Sequence, residues 1–177
     1  MQDSIQFTGK IAILSSGPSL LQSWQDSKFD NFDTVIAVNF AGFVFKHHWF
    51  SFWEDWILDA QLESPTLKRT VQRIEPLNGY IVPRPHTTDT PCLLMPMLVG
   101  ASSYTSTEVI RYVSKRSAAD ATLDIFGLDL QGEIDCLGRT GANRDPNRWA
   151  KERHYVKPLV ADPRVTVHGG IGKPTGF

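Results

Sequence analysis

Apolar residues fall along this chain in short, uniform runs. Lys10–Leu14 (KIAIL) and Thr34–Val38 (TVIAV) are β-branched stretches, and Gly79–Val82 (GYIV), Thr122–Phe126 (TLDIF) and Arg164–Val167 (RVTV) continue the series. Uniform runs suit strands of a parallel sheet covered on both faces, whereas alternating ones mark a sheet with one wet face. Between them lie helical spacings. Leu20, Leu21 and Trp24 recur behind Pro18, which is tolerated in a first helical turn, and predict a helix up to the polar segment Gln25 to Asp30. Val109, Ile110 and Val113 predict a second helix, with Ser102 or Ser103 as its cap and Lys115 and Arg116 near its negative C-terminal end. A third helix is expected from about Asn147 to Val160.

The remaining segments are less regular. His48 to Trp53 (HWFSFW) reads as an aromatic strand, and Trp56 to Leu67 as a helix or an irregular linker interrupted by Pro65. Pro83, Pro85, Pro91 and Pro96 argue against regular structure in the loop they span and make it the expected lid-like element. Gln131 to Pro146, rich in Gly, Asp, Asn and Arg, reads as a long loop. This alternation predicts an α/β fold, a Rossmann-like, doubly wound, mainly parallel sheet with helices on both faces. It is expected to form one nucleotide-binding domain over residues 1–168, with a loosely held tail over 169–177.

Composition narrows the class. The chain has 177 residues, 41% of them apolar, which suits one domain with a sizeable core. Eighteen basic residues against nineteen acidic ones leave a net charge of −1, so nothing drives the chain as a whole toward nucleic acid or an anionic membrane. Cys92 and Cys136 have neither disulfide-framework nor metal-ligand spacing. With no basic-then-apolar leader pattern in residues 1–30 and no membrane-length apolar run, the expectation is a cytoplasmic protein without a membrane partner.

Ligands of open α/β sheets collect at the carboxyl ends of the strands, so chemistry is sought there. After the first strand comes Ser15-Ser16-Gly17-Pro18-Ser19-Leu20, a turn entering a helix whose unpaired N–H groups and positive dipole end would suit a phosphate, although any βα turn wants a glycine. Asn39 ends the second strand, where a dinucleotide fold carries a ribose-binding acid. That amide, with the absence of a full GxGxxG, disfavours a nicotinamide dehydrogenase; the ordinary alternative is an Asn stabilising a turn. Gly100-Ala101-Ser102-Ser103 is a second small-residue turn, and Gly127-Leu128-Asp129-Leu130 completes the rim, with Asp129 open to a ribose, a metal or a structural hydrogen bond.

Taken in order, ILSSGPSL, VIAVNFA, GASSYTSTEVI, IFGLDLQGE and RWAKERHYV leading to RVTVH resemble a Rossmann-like superfamily. It includes phage-encoded homologues, hydroxymethylpterin pyrophosphokinase-like proteins and the Campylobacter-type sialyltransferases. The resemblance spans nearly the whole chain. It implies that Ser16, Gly17, Pro18 and Ser19 hold a nucleotide phosphate, that Asn39 contacts the nucleotide, that Ser102 and Ser103 form the second nucleotide-binding loop with Gly127, and that Asp129 is the acid of the GxDL segment. The acid expected after the third strand is represented by Glu54 or Asp55, and the sialyltransferase acceptor lid has no counterpart.

A transferase needs a base near the acceptor hydroxyl and positive charge on the leaving phosphate. His154 is the expected base, with Arg153 or Arg148 as phosphate clamp and Asp129 as a third catalytic group; the alternative is a solvated charged helix face. His47-His48 and His86 with Asp89 are poor metal sites, because adjacent histidines of a strand point to opposite faces. No metal ligand set is therefore expected, although magnesium could accompany a nucleotide. The Trp49 to Trp56 cluster is expected in the core or at a homo-oligomer contact. The function read from this sequence is a glycosyltransferase using a CMP-type nucleotide-sugar. The alternatives are an ATP-dependent pyrophosphokinase-like enzyme and a non-catalytic nucleotide-binding module.

Overall fold

The computed structural model describes residues 5–86, 89–96, 104–140 and 146–169. Seven strands form one sheet: β1 (Lys10–Leu14), β2 (Thr34–Val38), β3 (Trp49–Ser51), β6 (Gly79–Val82), β7 (Cys92–Leu94), β8 (Thr122–Phe126) and β9 (Val165–His168). Their order across the sheet is β7-β6-β3-β2-β1-β8-β9, and every pairing is parallel. The chain builds outward from β1 to one side, then returns past β1 to lay down β8 and β9 on the other. The crevice between β1 and β8 is thus the topological switch point, where α/β sheets bind ligands.

Period-2 alternation divides the core between the two faces. Ile11, Ile13, Ile36, Val38, Leu123 and Ile125 face α2 (Thr105–Arg116) and α3 (Pro146–Val160), meeting Val109, Ile110, Val113, Trp149 and Val156. Each fully buried isoleucine contributes about 2 kcal/mol by removal from water. Ala12, Leu14, Val35, Ala37 and Phe126 face the other way, where α1 (Leu20–Ser23) and 3-10 turns at Asp26–Asn31, Asn39–Phe43 and Asp55–Leu58 bring Leu20, Trp24, Phe43 and Ile57. The fold is α/β and Rossmann-like, with one face covered by long helices and the other by short helical turns.

Three expectations change. The first helix ends at Ser23, and the polar stretch after it winds as a 3-10 turn. The segment read as helix or linker forms an antiparallel hairpin, β4 (Gln61–Ser64) with β5 (Arg69–Gln72). The proline-rich loop contains β7, an edge strand held by pairing to β6 on one side alone, which is where flanking prolines do least harm. No described helix is long and apolar enough to cross a membrane. Residues 170–177, expected as a tail, lie outside the described residues.

Candidate functional site

The strand ends converge on one cavity of about 420 Å³ at the switch point. β1 contributes Ser15, Ser16 and Gly17, and the end of β2 contributes Asn39 and Phe40. Past β3 come Trp53, Glu54, Trp56 and Ile57; past β8 come Gly127 to Gln131 and Asp135. The start of α2 adds Tyr104, Thr105 and Ser106, and α3 adds Arg148 and Trp149. Of the expected site residues, Ser16, Gly17, Asn39, Gly127 and Asp129 meet here. Ser102 and Ser103 lie outside the described residues.

The turn after β1 is the most tightly built part of this wall. The Ser15 N–H donates to Phe126 O at 2.8 Å and the Gly17 N–H to Gly127 O at 2.9 Å. The Ser19 N–H donates to Asp129 Oδ2 at 2.9 Å, and the Leu20 N–H to Gly17 O at 3.1 Å. The approach is so close that a Cβ on Gly17 would collide with the Asp129 carboxylate and the Gly127 carbonyl oxygen. These amides, expected to hold phosphate, are occupied by the protein itself, and Pro18 has none. A carboxylate already sits at the head of α1, which has only four residues. Gly17 and Ser19 thus join the turn after β1 to the end of β8, with the Asp129 carboxylate holding the Ser19 amide.

The other donors remain. The Oγ of Ser15, a residue only 2% exposed on the cavity wall, has no hydrogen-bond partner among the described residues. Such an orphaned hydroxyl carries a desolvation cost that a bound ligand would relieve. Asn39 sits at φ +51°, in the left-handed region that Asn tolerates better than most residues, and so turns the chain out of β2 beneath the cavity. The α2 helix begins at the wall beside Ser106; among the described residues no side chain caps its first turn, which carries the buried Glu108. The Arg148 guanidinium lies over the Tyr104 ring, 4.3 Å from its centroid, and Tyr104 packs on Trp149 at 4.9 Å. Arg148 thus brings a guanidinium to the α2–α3 corner of the cavity.

The end of β3 is aromatic and acidic. Trp56 is 51% exposed, and its ring lies 6.2 Å from Phe40. Arg139 covers Phe40 at 4.6 Å. Trp49, Phe50 and Phe52 are buried in the sheet core, so the part of the aromatic cluster left near solvent borders the cavity. Asp135 Oδ1 accepts from the Leu137 and Arg139 amides and shapes the loop beyond β8.

His154, the expected base, is not among the residues lining the cavity. The buried stripe of α3 runs through Trp149, Glu152 and Val156, and His154 falls on the exposed face opposite, away from the cavity. Arg153 does not line it either; its Nη1 donates to Leu130 O at 2.8 Å and fixes a residue held at φ +46°. Arg148 is the cation at the site. A charge run does not announce helical phase. Trp53, Glu54 and Trp56, by contrast, stand just past the carboxyl end of β3, and that position alone could have flagged them as cavity residues.

The histidines considered as ligands serve the fold. His47 is buried with Nδ1 on Phe45 O, and burial pushes its pKa down to about 4. His48 Nδ1 accepts the Val35 N–H. His86 Nδ1 lies 3.5 Å from Asp55 Oδ1. Among the described residues, no three His, Cys, Asp or Glu side chains group as a metal site.

No family model matches the chain, and no curated protein matches it. Among solved structures it is similar to a mammalian sialyltransferase in complex with Gal-beta-1-3GalNAc-ortho-nitrophenol, at 13% identity and a TM-score of 0.48, over 92% of this chain and 70% of that one.

Proposed function

We propose that this protein is a nucleotide-dependent transferase, a glycosyltransferase whose donor is a sugar carried on a nucleoside monophosphate of the CMP type. The observation that carries the reading is the cavity at the switch point, lined by the Arg148 guanidinium and the start of α2 and by the aromatic, acidic segment Trp53–Ile57. Its volume of about 420 Å³ suits one nucleotide-sized ligand. The first turn of α2, Ser106 and Arg148 are the groups to receive a phosphate, and Ser15 and Asn39 are placed for ribose or base contacts.

Charge selects among donors. Among the described residues, Glu54, Asp129 and Asp135 line the cavity with one guanidinium, that of Arg148. That balance favours a ligand with a single phosphate charge over the triphosphate of ATP, which would face mutual repulsion from the carboxylates. The test is calorimetry with CMP, a CMP-sugar, UDP-sugars, ATP and GTP, with and without magnesium. Binding of CMP and its sugar without metal is expected. ATP binding that requires magnesium would turn the reading to pyrophosphoryl transfer, and no binding by any of them would overturn it.

A further inference from the structure

Two acids come after β3, and their surroundings differ. Asp55 is held by Arg84 Nη2 at 3.4 Å and His86 Nδ1 at 3.5 Å. The Glu54 side chain is exposed on the cavity wall and has no hydrogen bond or ion pair among the described residues. Its backbone is nonetheless fixed: Glu54 O accepts the Ile57 N–H at 3.1 Å, Ile57 is buried, and Leu58 O accepts Arg73 Nε at 3.1 Å. The other two cavity carboxylates have oxygens engaged by backbone amides. Glu54 is thus an uncommitted carboxylate on a rigid turn, with Trp53 before it and the half-exposed Trp56 after it.

Its place in the sheet matters as much. Glu54 enters the cavity from the end of β3 and Arg148 from the first turn of α3, so both line the same space. A donor with its phosphate at Arg148 and its sugar reaching toward β3 would bring the anomeric carbon between the two. Indole faces flanking a carboxylate suit a carbohydrate, whose apolar ring face stacks while its hydroxyls donate to the acid.

We propose that Glu54 is the general base that activates an acceptor hydroxyl on a carbohydrate seated against Trp53 and Trp56; this rests on the nucleotide-sugar reading above. Glu54 takes the hydroxyl proton as the acceptor oxygen bonds to the anomeric carbon of the donor sugar. The bond from that carbon to the phosphate oxygen breaks, its electron pair stays on the phosphate, and Arg148 with the α2 end offsets the added charge. This gives Glu54, on the cavity wall, the base role expected at His154.

The experiment compares wild type with Glu54→Gln, Glu54→Asp and Trp56→Ala, using CMP as the binding probe and a CMP-sugar as donor to water and to a set of methyl glycosides. In E54Q, kcat for CMP release is expected to fall about 100-fold or more with the CMP Kd unchanged, and E54D is expected to recover part of it. Trp56→Ala is expected to raise KM for the glycosides about tenfold. Wild-type kcat in E54Q overturns the base assignment, as does a wild type that binds donor and releases no CMP. Failure of every methyl glycoside to accelerate release overturns the carbohydrate acceptor. If wild type binds no nucleotide at all, the nucleotide-sugar reading itself falls, and this inference with it.

Discussion

Two helix entrances open at the switch point, and they are built in opposite ways. The turn after β1 carries the glycine, the serines and the proline that suggest a phosphate cradle, yet its amides close onto Phe126, Gly127 and Asp129. The start of α2 has no side-chain cap among the described residues and borders the cavity at Ser106, near Arg148. The difference teaches that a small-residue turn marks close backbone approach, and that what approaches can be a neighbouring strand as readily as a ligand. Binding capacity depends on which polar groups are left over after the fold has satisfied its own.

The strongest way to break the comparison is Gly17→Val. A side chain there collides with Asp129 and with the Gly127 backbone, so a loss of about 3 kcal/mol in urea unfolding is expected. Unchanged stability with ligand binding lost would return the turn to the role of phosphate cradle.

Acid loads the fold without touching either entrance. The His47 pKa lies at about 4 in the folded protein, below its ordinary value, because burial disfavours the charged ring. Its contribution is complete above pH ~6.5 and is lost as pH falls toward 4, amounting to about 2–3 kcal/mol between pH 7 and pH 4.5. His47→Leu should flatten that part of the pH dependence of the urea midpoint; an unaltered profile would contradict it.

Arg148→Ala addresses the open entrance. A charge-assisted contact to phosphate is worth about 2 kcal/mol, so CMP affinity should weaken roughly 30-fold by calorimetry. Equal affinity would show that the cationic corner does not hold the phosphate. The smallest effect is expected from Ser15→Ala, whose sign differs between states: the free protein should gain a few tenths of a kcal/mol as an orphaned hydroxyl is removed, while CMP binding weakens several-fold. Melting curves with and without CMP would separate the two.

Much of this is legible in the chain, and the gaps have physical causes. β1, β2 and β8 are uniform apolar runs because both their faces are covered, and that pattern admits few other readings. The β4–β5 hairpin is polar and largely exposed, and its turn places Lys68 rather than glycine at φ +50°, so neither periodicity nor turn chemistry signals it. At the site, Gly17, Asn39 and Asp129 stand out because they come directly after strands. Their roles do not, since whether an amide faces a ligand or a carboxylate depends on β8, which arrives more than a hundred residues later in the chain. Trp53 and Trp56 sit in an aromatic run whose inner members are core, and only the end of β3 separates the buried rings from the cavity wall.

The central claim is that the anion end of the cavity lies at the α2–α3 corner and not in the turn after β1. Amide chemical shifts of 15N-labelled protein titrated with CMP test it most directly. Saturating shifts at Ser106 and Arg148, with Gly17 and Ser19 little moved, are the expected result; shifts centred on Gly17 and Ser19 would contradict it.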